Sequence, residues 1–307
     1  MNKSITRQQM LGVLDDFVRR WQNSDSSPMQ GIDADVSLVA SHRPGGSGPE
    51  AVSTWLGQDF VSFRDVQIVT SNRVVRGLRD RTAAGAYIFG RATAQGGGII
   101  AFGGVITMTA SSVAGMLRAT GIQIQINWFE GESALLSGWS LPVMRRLWEP
   151  GDAPAAIVSE LDAPWHRFPV SEVALTEEEA IALAWYQYAW GLDQADFGLL
   201  ADVFTEDVSA ELTPMGNLAG RNTLVGTLKA FRMPWPWMKH YGEPARIDID
   251  GDTATMILGR IIPGRTHSET GNPLYGAHYQ IQTRKGSDLK WRIQKMNYVP
   301  GWIEASS

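Results

Sequence analysis

Proton transfer at neutral pH needs a group that titrates there, and this chain of 307 residues offers five His and no Cys. The missing thiol excludes disulfide frameworks, thiolate nucleophiles, Cys-ligated zinc and iron–sulfur clusters. Imidazole, with an unperturbed pKa of roughly 6.5, is the remaining neutral-range base. Three of the five, His240, His267 and His278, fall in the second half. A carboxylate there is also out of place. Asp193 follows Ala189 by four residues and Trp185 by eight, so it continues the helical stripe of Ile181, Trp185, Tyr188, Ala189 and Leu192. Burying it bare costs several kcal/mol, so it needs a partner or a proton. The alternative is a helix that frays after Gly191 and Gln194 and leaves Asp193 in water. His240 closes the run Met233-Pro-Trp-Pro-Trp-Met-Lys-His240 just before a strand, and Trp235, Trp237 and Met238 of that run would line a cavity.

The remaining candidates are weaker. His42 sits in Ser41-His-Arg-Pro-Gly-Gly-Ser-Gly, which reads as a mobile loop, and His166 in a Pro-rich stretch. His267 belongs to a loop between strands at the cavity mouth. No His spacing recommends a metal site, and no cofactor is expected. Gly96-Gly97-Gly98 and Gly103-Gly104 have no helix start or Lys-Ser/Thr behind them, so they read as sheet bends or bulges rather than a phosphate cradle.

The elements that must hold these residues occur twice. Thr6-Arg-Gln-Gln9 and Thr176-Glu-Glu-Glu179 are capping boxes 170 residues apart. Ile88-Phe-Gly-Arg91 returns as Ile257-Leu-Gly-Arg260, Asp35-Val36 as Asp207-Val208, Gly48 as Gly220, and Asn127-Trp128 as Asn297-Tyr298, all in order and at nearly the same spacing. Helices are expected over 8–22 and 49–60, with strands over 66–75, 82–94, 99–110 and 121–129. The second half repeats this with helices from Thr176, from Asp196 through Phe204, and over 224–231. Its strands are 245–250, 253–262, 275–284 and 290–299, the first pair joined by Asp250-Gly251-Asp252. Helices followed by an antiparallel meander make an α+β domain. The expected division is a first domain over 1–140, a Pro-rich linker over 141–173 that packs down through Leu147, Trp148, Ile157 and Trp165, and a second domain over 174–307.

Lys plus Arg is 27 against 32 Asp plus Glu, a net charge of −5, which argues against a nucleic-acid or membrane-surface partner. The start, Met1-Asn-Lys-Ser-Ile-Thr, has no apolar core, and no long apolar run follows, so neither a signal peptide nor a membrane span is expected and the cytoplasm is the default location. The 12 Trp point to cores, interfaces or an apolar pocket.

Tyr188-Ala-Trp-Gly-Leu-Asp193, Phe204-Thr-Glu-Asp207-Val, Gly220-Arg, His240-Tyr-Gly, Asp250-Gly-Asp-Thr-Ala254 and Met296-Asn-Tyr298 resemble the nuclear transport factor 2-like superfamily, also called SnoaL-like. Within it the second half is similar to the branch of scytalone dehydratase, the polyketide cyclases and gamma-hexachlorocyclohexane dehydrochlorinase. The resemblance implies two tandem cone-shaped α+β barrels, each a curved antiparallel sheet wrapped by helices, packed as an intramolecular pseudo-dimer. It implies a dyad in which His240 is the base and Asp193 orients it, with Tyr188 and His278 as acid or polarising groups and Asn297 as a substrate contact. It departs from the dehydrochlorinase pattern at Tyr188, where that pattern has a basic residue.

The function expected is a cofactor-independent lyase, by dehydration, dehydrohalogenation or C–C cleavage, or an isomerase. The substrate is a hydrophobic ring-containing small molecule in a pocket shaped by Trp185, Trp235, Trp237 and Met238. A non-catalytic binding or structural protein of the same fold is the rival reading. At the repeat spacing Asn23, Val18 and Thr70 stand for Asp193, Tyr188 and His240, so the first copy is expected to be catalytically silent.

Overall fold

The computed structural model describes residues 5–143, 146, 148–235, 237–261 and 276–300. They form two compact units, Met1–Ala174 and Leu175–Ser307. His267 and Leu147, and the side chain of Arg260, lie outside the described residues.

The first unit runs α1 (Arg7–Gln22), β1 (Ile32–Ala40), β2 (Gly46–Ser47), α2 (Pro49–Leu56), β3 (Phe63–Leu78), β4 (Arg81–Ala94), β5 (Ile99–Val113) and β6 (Met116–Gly131), then two single-turn helices, α3 (Ser159–Asp162) and α4 (Pro164–Arg167). The second runs α5 (Glu177–Asp193), α6 (Phe197–Asp202), β7 (Phe204–Leu212), β8 (Gly216–Ala219), α7 (Arg221–Arg232), β9 (Pro244–Asp250), β10 (Thr253–Ile261), β11 (Gly276–Lys285) and β12 (Trp291–Pro300). Each unit has one six-stranded sheet, ordered β2-β1-β6-β5-β4-β3 and β8-β7-β12-β11-β10-β9. These are the same path taken twice.

Local chemistry repeats with the topology. Thr6 caps α1 by accepting the Gln9 N–H at 3.2 Å while Gln9 accepts the Thr6 N–H at 2.9 Å. Thr176 and Glu179 do the same for α5 at 3.2 and 2.9 Å. Gly48 and Gly220 precede α2 and α7 with φ of 86° and 83°, a region that favours glycine. Each donates its N–H at 2.8 Å to the carbonyl of a buried valine, Val36 or Val208. That bond is what the echoed Asp-Val and Gly residues encode.

Two expectations are corrected. Phe204 begins β7 rather than ending a helix, and β1 and β7 pair parallel with β6 and β12, so each sheet is mixed rather than wholly antiparallel. The four-strand meander is as expected, with Asp250 opposite Thr253 across the turn at Gly251. The register shifts between Gly103 and Gly104, whereas Gly96–Gly98 make the β4–β5 turn.

Residues 141–173 belong to the first unit. Gln123 and Gln125 of β6 bond the main chain of Ala156 at 3.0 and 2.7 Å, and Arg76 of β3 bonds the carbonyls of Phe168 and Pro169 at 2.7 and 2.8 Å. Ile157 and Trp165 are buried, while Trp148 is exposed.

The cores differ in filling. In the first unit Leu14, Phe17 and Trp21 of α1 pack with Phe60, Phe102 and Trp139 in one apolar cluster. In the second, α5 is buried nearly all round from Ile181 to Asp193. Gly191, read as a fraying point, is instead a helical residue against which α6 packs closely, because a Cβ there would meet the Leu200 nitrogen at 2.8 Å.

Candidate active site

Asp193 is the last residue of α5, and the segment after α7, buried from Lys239 onward, carries His240 to it. The His240 ring Nδ1 lies 2.6 Å from one Asp193 oxygen, and the His240 main-chain N–H donates to the other at 2.6 Å. Asp193 is 1% exposed and His240 3%. A carboxylate facing Nδ1 fixes the proton on that nitrogen and leaves the lone pair on Nε2.

Burial by itself raises the Asp193 carboxyl. The charge of His240, its ring and main-chain hydrogen bonds and the charge of Lys239 outweigh that and hold it below the ordinary carboxylate range. It is therefore ionised at neutral pH. Its main-chain carbonyl, at the negative end of the helix dipole, receives the Arg232 guanidinium at 3.0 Å and the Lys239 ammonium at 3.4 Å.

Aromatic rings surround the imidazole. Tyr188, one turn back along α5, stands 5.7 Å from it between centroids, Trp185 6.2 Å and Tyr279 of β11 6.5 Å, with Trp185 and Tyr279 themselves 4.9 Å apart. The Trp185 indole N–H is satisfied by the Gly242 carbonyl at 3.0 Å. Tyr298 of β12 joins through Tyr279 at 5.3 Å.

The structure brings together Asp193, His240, Tyr188 and Trp185. It does not bring His278, Asn297 or Trp235. On β11 the buried residues are Ala277, Tyr279, Ile281 and Thr283, so His278 faces the opposite side of the sheet, paired across to Gly259 and Val299. A one-residue difference in register moves a side chain to the other face, and Tyr279 takes the inward place expected of His278. Asn297 likewise alternates with buried Met296 and lies opposite Gln280 on that outer side. Trp235 is 49% exposed and packs edge-on against half-buried Trp237, 5.7 Å away, rather than in a cavity wall. Met238 is half-buried. Lys239, 2% exposed, carried no sequence signal.

In the first unit Gln22 ends α1 as Asp193 ends α5, and its side-chain amide oxygen accepts the Ile68 N–H at 2.8 Å. The acid and the imidazole are both absent from that arrangement. A different pair is present nearby, and it overturns the reading of His42 as part of a mobile loop. His42 is wholly buried with Nε2 3.2 Å from Asp59, and the Asp59 carboxylate also receives Trp21 at 2.7 Å, Trp139 at 2.9 Å and Arg43 at 2.7 Å. Burial lowers the His42 pKa against the opposing pull of Asp59. Trp139 lies 4.3 Å from the His42 ring, so this pair is enclosed in packed aromatics.

Among the described residues no group of three or more His, Asp or Glu is placed to hold a metal ion, and no helix is long and apolar enough to cross a membrane.

Residues 173–297 match the family of the SnoaL-like domain. No curated protein matches the chain. Among solved structures it is similar to a protein of Kribbella flavida, at 14% identity over 43% of this chain and 96% of that one with a TM-score of 0.38. A candidate scytalone dehydratase from Novosphingobium aromaticivorans aligns at 11% identity over 41% and 86% with a TM-score of 0.37. A candidate dehydratase of the NTF2-like family from Streptomyces avermitilis aligns at 17% over 41% and 96% with a TM-score of 0.33. With its helices first, its six-stranded mixed sheet and the family match over 173–297, the second unit carries a SnoaL-like domain.

Proposed function

We propose that the second unit is a cofactor-independent lyase acting on a hydrophobic, ring-containing small molecule, with His240 as general base and Asp193 as its orienter. The observation that carries this is the buried Asp193–His240 bond at 2.6 Å. A carboxylate–imidazole pair in an apolar surround is poised for proton abstraction near neutral pH. Trp185, Tyr188 and Tyr279 supply aromatic faces, and the two tyrosines supply hydroxyls.

In the elimination, His240 Nε2 takes a proton from a substrate carbon and the C–H electron pair becomes the new π bond. The leaving group departs from the neighbouring carbon with its own pair. A departing hydroxide takes a proton from the imidazolium or from the hydroxyl of Tyr188 or Tyr279 and leaves as water; a halide needs none. Asp193 stabilises the imidazolium while it exists. The balance closes without a redox partner. C–C cleavage and isomerisation start from the same proton abstraction.

One observation favours a second reading, a binding or structural protein. His240 is 3% exposed, with rings packed against it. Screening aromatic and terpenoid alcohols and halides by ligand-induced thermal shift, followed by turnover assays on the compounds that bind, separates the two. Turnover abolished in folded Asp193→Asn and His240→Ala supports the lyase. Binding without turnover, unchanged in both variants, supports the alternative.

A further inference from the structure

Asp193 stands where an anion is least welcome. It ends α5, so its charge adds to the negative end of the helix dipole, and it is fully buried. Two cations offset this from outside the dyad. Arg232, in the last turn of α7, bonds the Asp193 carbonyl at 3.0 Å. Lys239, the residue before His240, places Nζ 3.4 Å from the same carbonyl and 3.3 Å from the Met238 carbonyl, with its side chain almost wholly withdrawn from water. Burying an ammonium is costly, and a long lysine side chain with no role here would be expected to extend its head into solvent.

We infer that Lys239 is a positioning residue of the Asp193–His240 dyad: its buried ammonium, shared with Arg232 on the last carbonyl of α5, adds positive charge beside the dyad and so sets the pH range in which His240 is a neutral base. This rests on the lyase reading above for its role in turnover, though not for its electrostatics. Among the described residues, the charged and titratable groups recorded against the dyad include Lys239 from its own segment, Arg232 from α7, Tyr188 from α5 and Tyr279 from β11. Burial lowers the Lys239 pKa to about 8, against the pull of Asp193 and with the repulsion of Arg232. Above that value the cation is lost, and Arg232 remains on the last carbonyl of α5.

The test is an NMR titration of the full chain with isotope-labelled His and Lys side chains, since five imidazoles are few enough to assign with a His240→Ala reference. In the wild type the His240 ring signals are expected to show a step at the midpoint where Lys239 titrates, near pH 8. Lys239→Met is expected to remove that step and move the His240 midpoint upward by roughly one pH unit, because a nearby cation disfavours the imidazolium. Lys239→Arg is expected to keep the midpoint near the wild-type value and lose the step. A wild-type His240 signal that does not respond as Lys239 titrates overturns the inference, even where the Met variant fails to fold. So does an unmoved midpoint in a folded Lys239→Met protein. The readout uses no substrate, so its failure is distinct from a failure of the lyase reading, which shows as turnover surviving in His240→Ala.

Discussion

Asp193 spends both its carboxylate oxygens on a single residue: His240 donates to one through its main-chain N–H and to the other through ring Nδ1, each at 2.6 Å. One bond fixes where His240 sits and the other fixes its tautomer. The two functions can be separated by substitution. In Asp193→Asn the amide oxygen can keep one of the two bonds, while its NH2 group faces a donor. The fold is expected to survive by circular dichroism, and the rate of proton abstraction is expected to fall by about 10²–10⁴.

The same carboxylate makes stability depend on acid. Its folded pKa lies below the unfolded value, so its contribution is present above the ordinary Asp range and is lost as pH falls through the folded value. Chemical denaturation of the second unit should therefore show stability declining below about pH 4. Asp193→Asn should be less stable than wild type at pH 7 and should lose less on going from pH 5 to pH 2.

Sheet facing gives a sharper contrast. Tyr279→Phe, which removes only an inward hydroxyl, is expected to lower kcat by about tenfold or more if that hydroxyl assists the leaving group. His278→Ala, on the opposite face, is expected to leave kcat and KM close to wild type. Steady-state kinetics on one substrate checks both.

In the first unit the Asp59 carboxylate gathers Trp21, His42, Arg43 and Trp139, tying α1, two loops and the segment after β6 together. Removing it leaves those donors buried around a hole. Asp59→Ala is expected to cost about 3–5 kcal/mol of the stability of that unit, read by tryptophan fluorescence in urea. A loss below about 1 kcal/mol would show the cluster to be incidental.

How far the sequence could be read follows from the range of each interaction. The capping boxes at Thr6 and Thr176 are local, four-residue signals, and their repetition revealed the tandem organisation. Asp193 was legible because it breaks an apolar stripe within one helix. β7 was missed because Phe204 continues the apolar pattern of α6 while already starting a strand, and only from Val208 onward does alternation show. His278 and Tyr279 could not be told apart because facing depends on a single-residue register that neighbouring strands set. The Asp59 cluster was invisible for a different reason. Its donors come from positions 21, 42, 43 and 139, so no window of sequence contains it, and the glycines around His42 resembled a solvated loop.

The central claim is that His240 removes a proton from carbon. The measurement that meets it most directly uses a compound found to bind, deuterated at the carbon beside the leaving group, with loss of label followed as product forms. Loss of the label with a primary isotope effect is expected in the wild type, and no loss above background in folded His240→Ala or Asp193→Asn. Product formation by His240→Ala at the wild-type rate, with the same isotope effect, would contradict it.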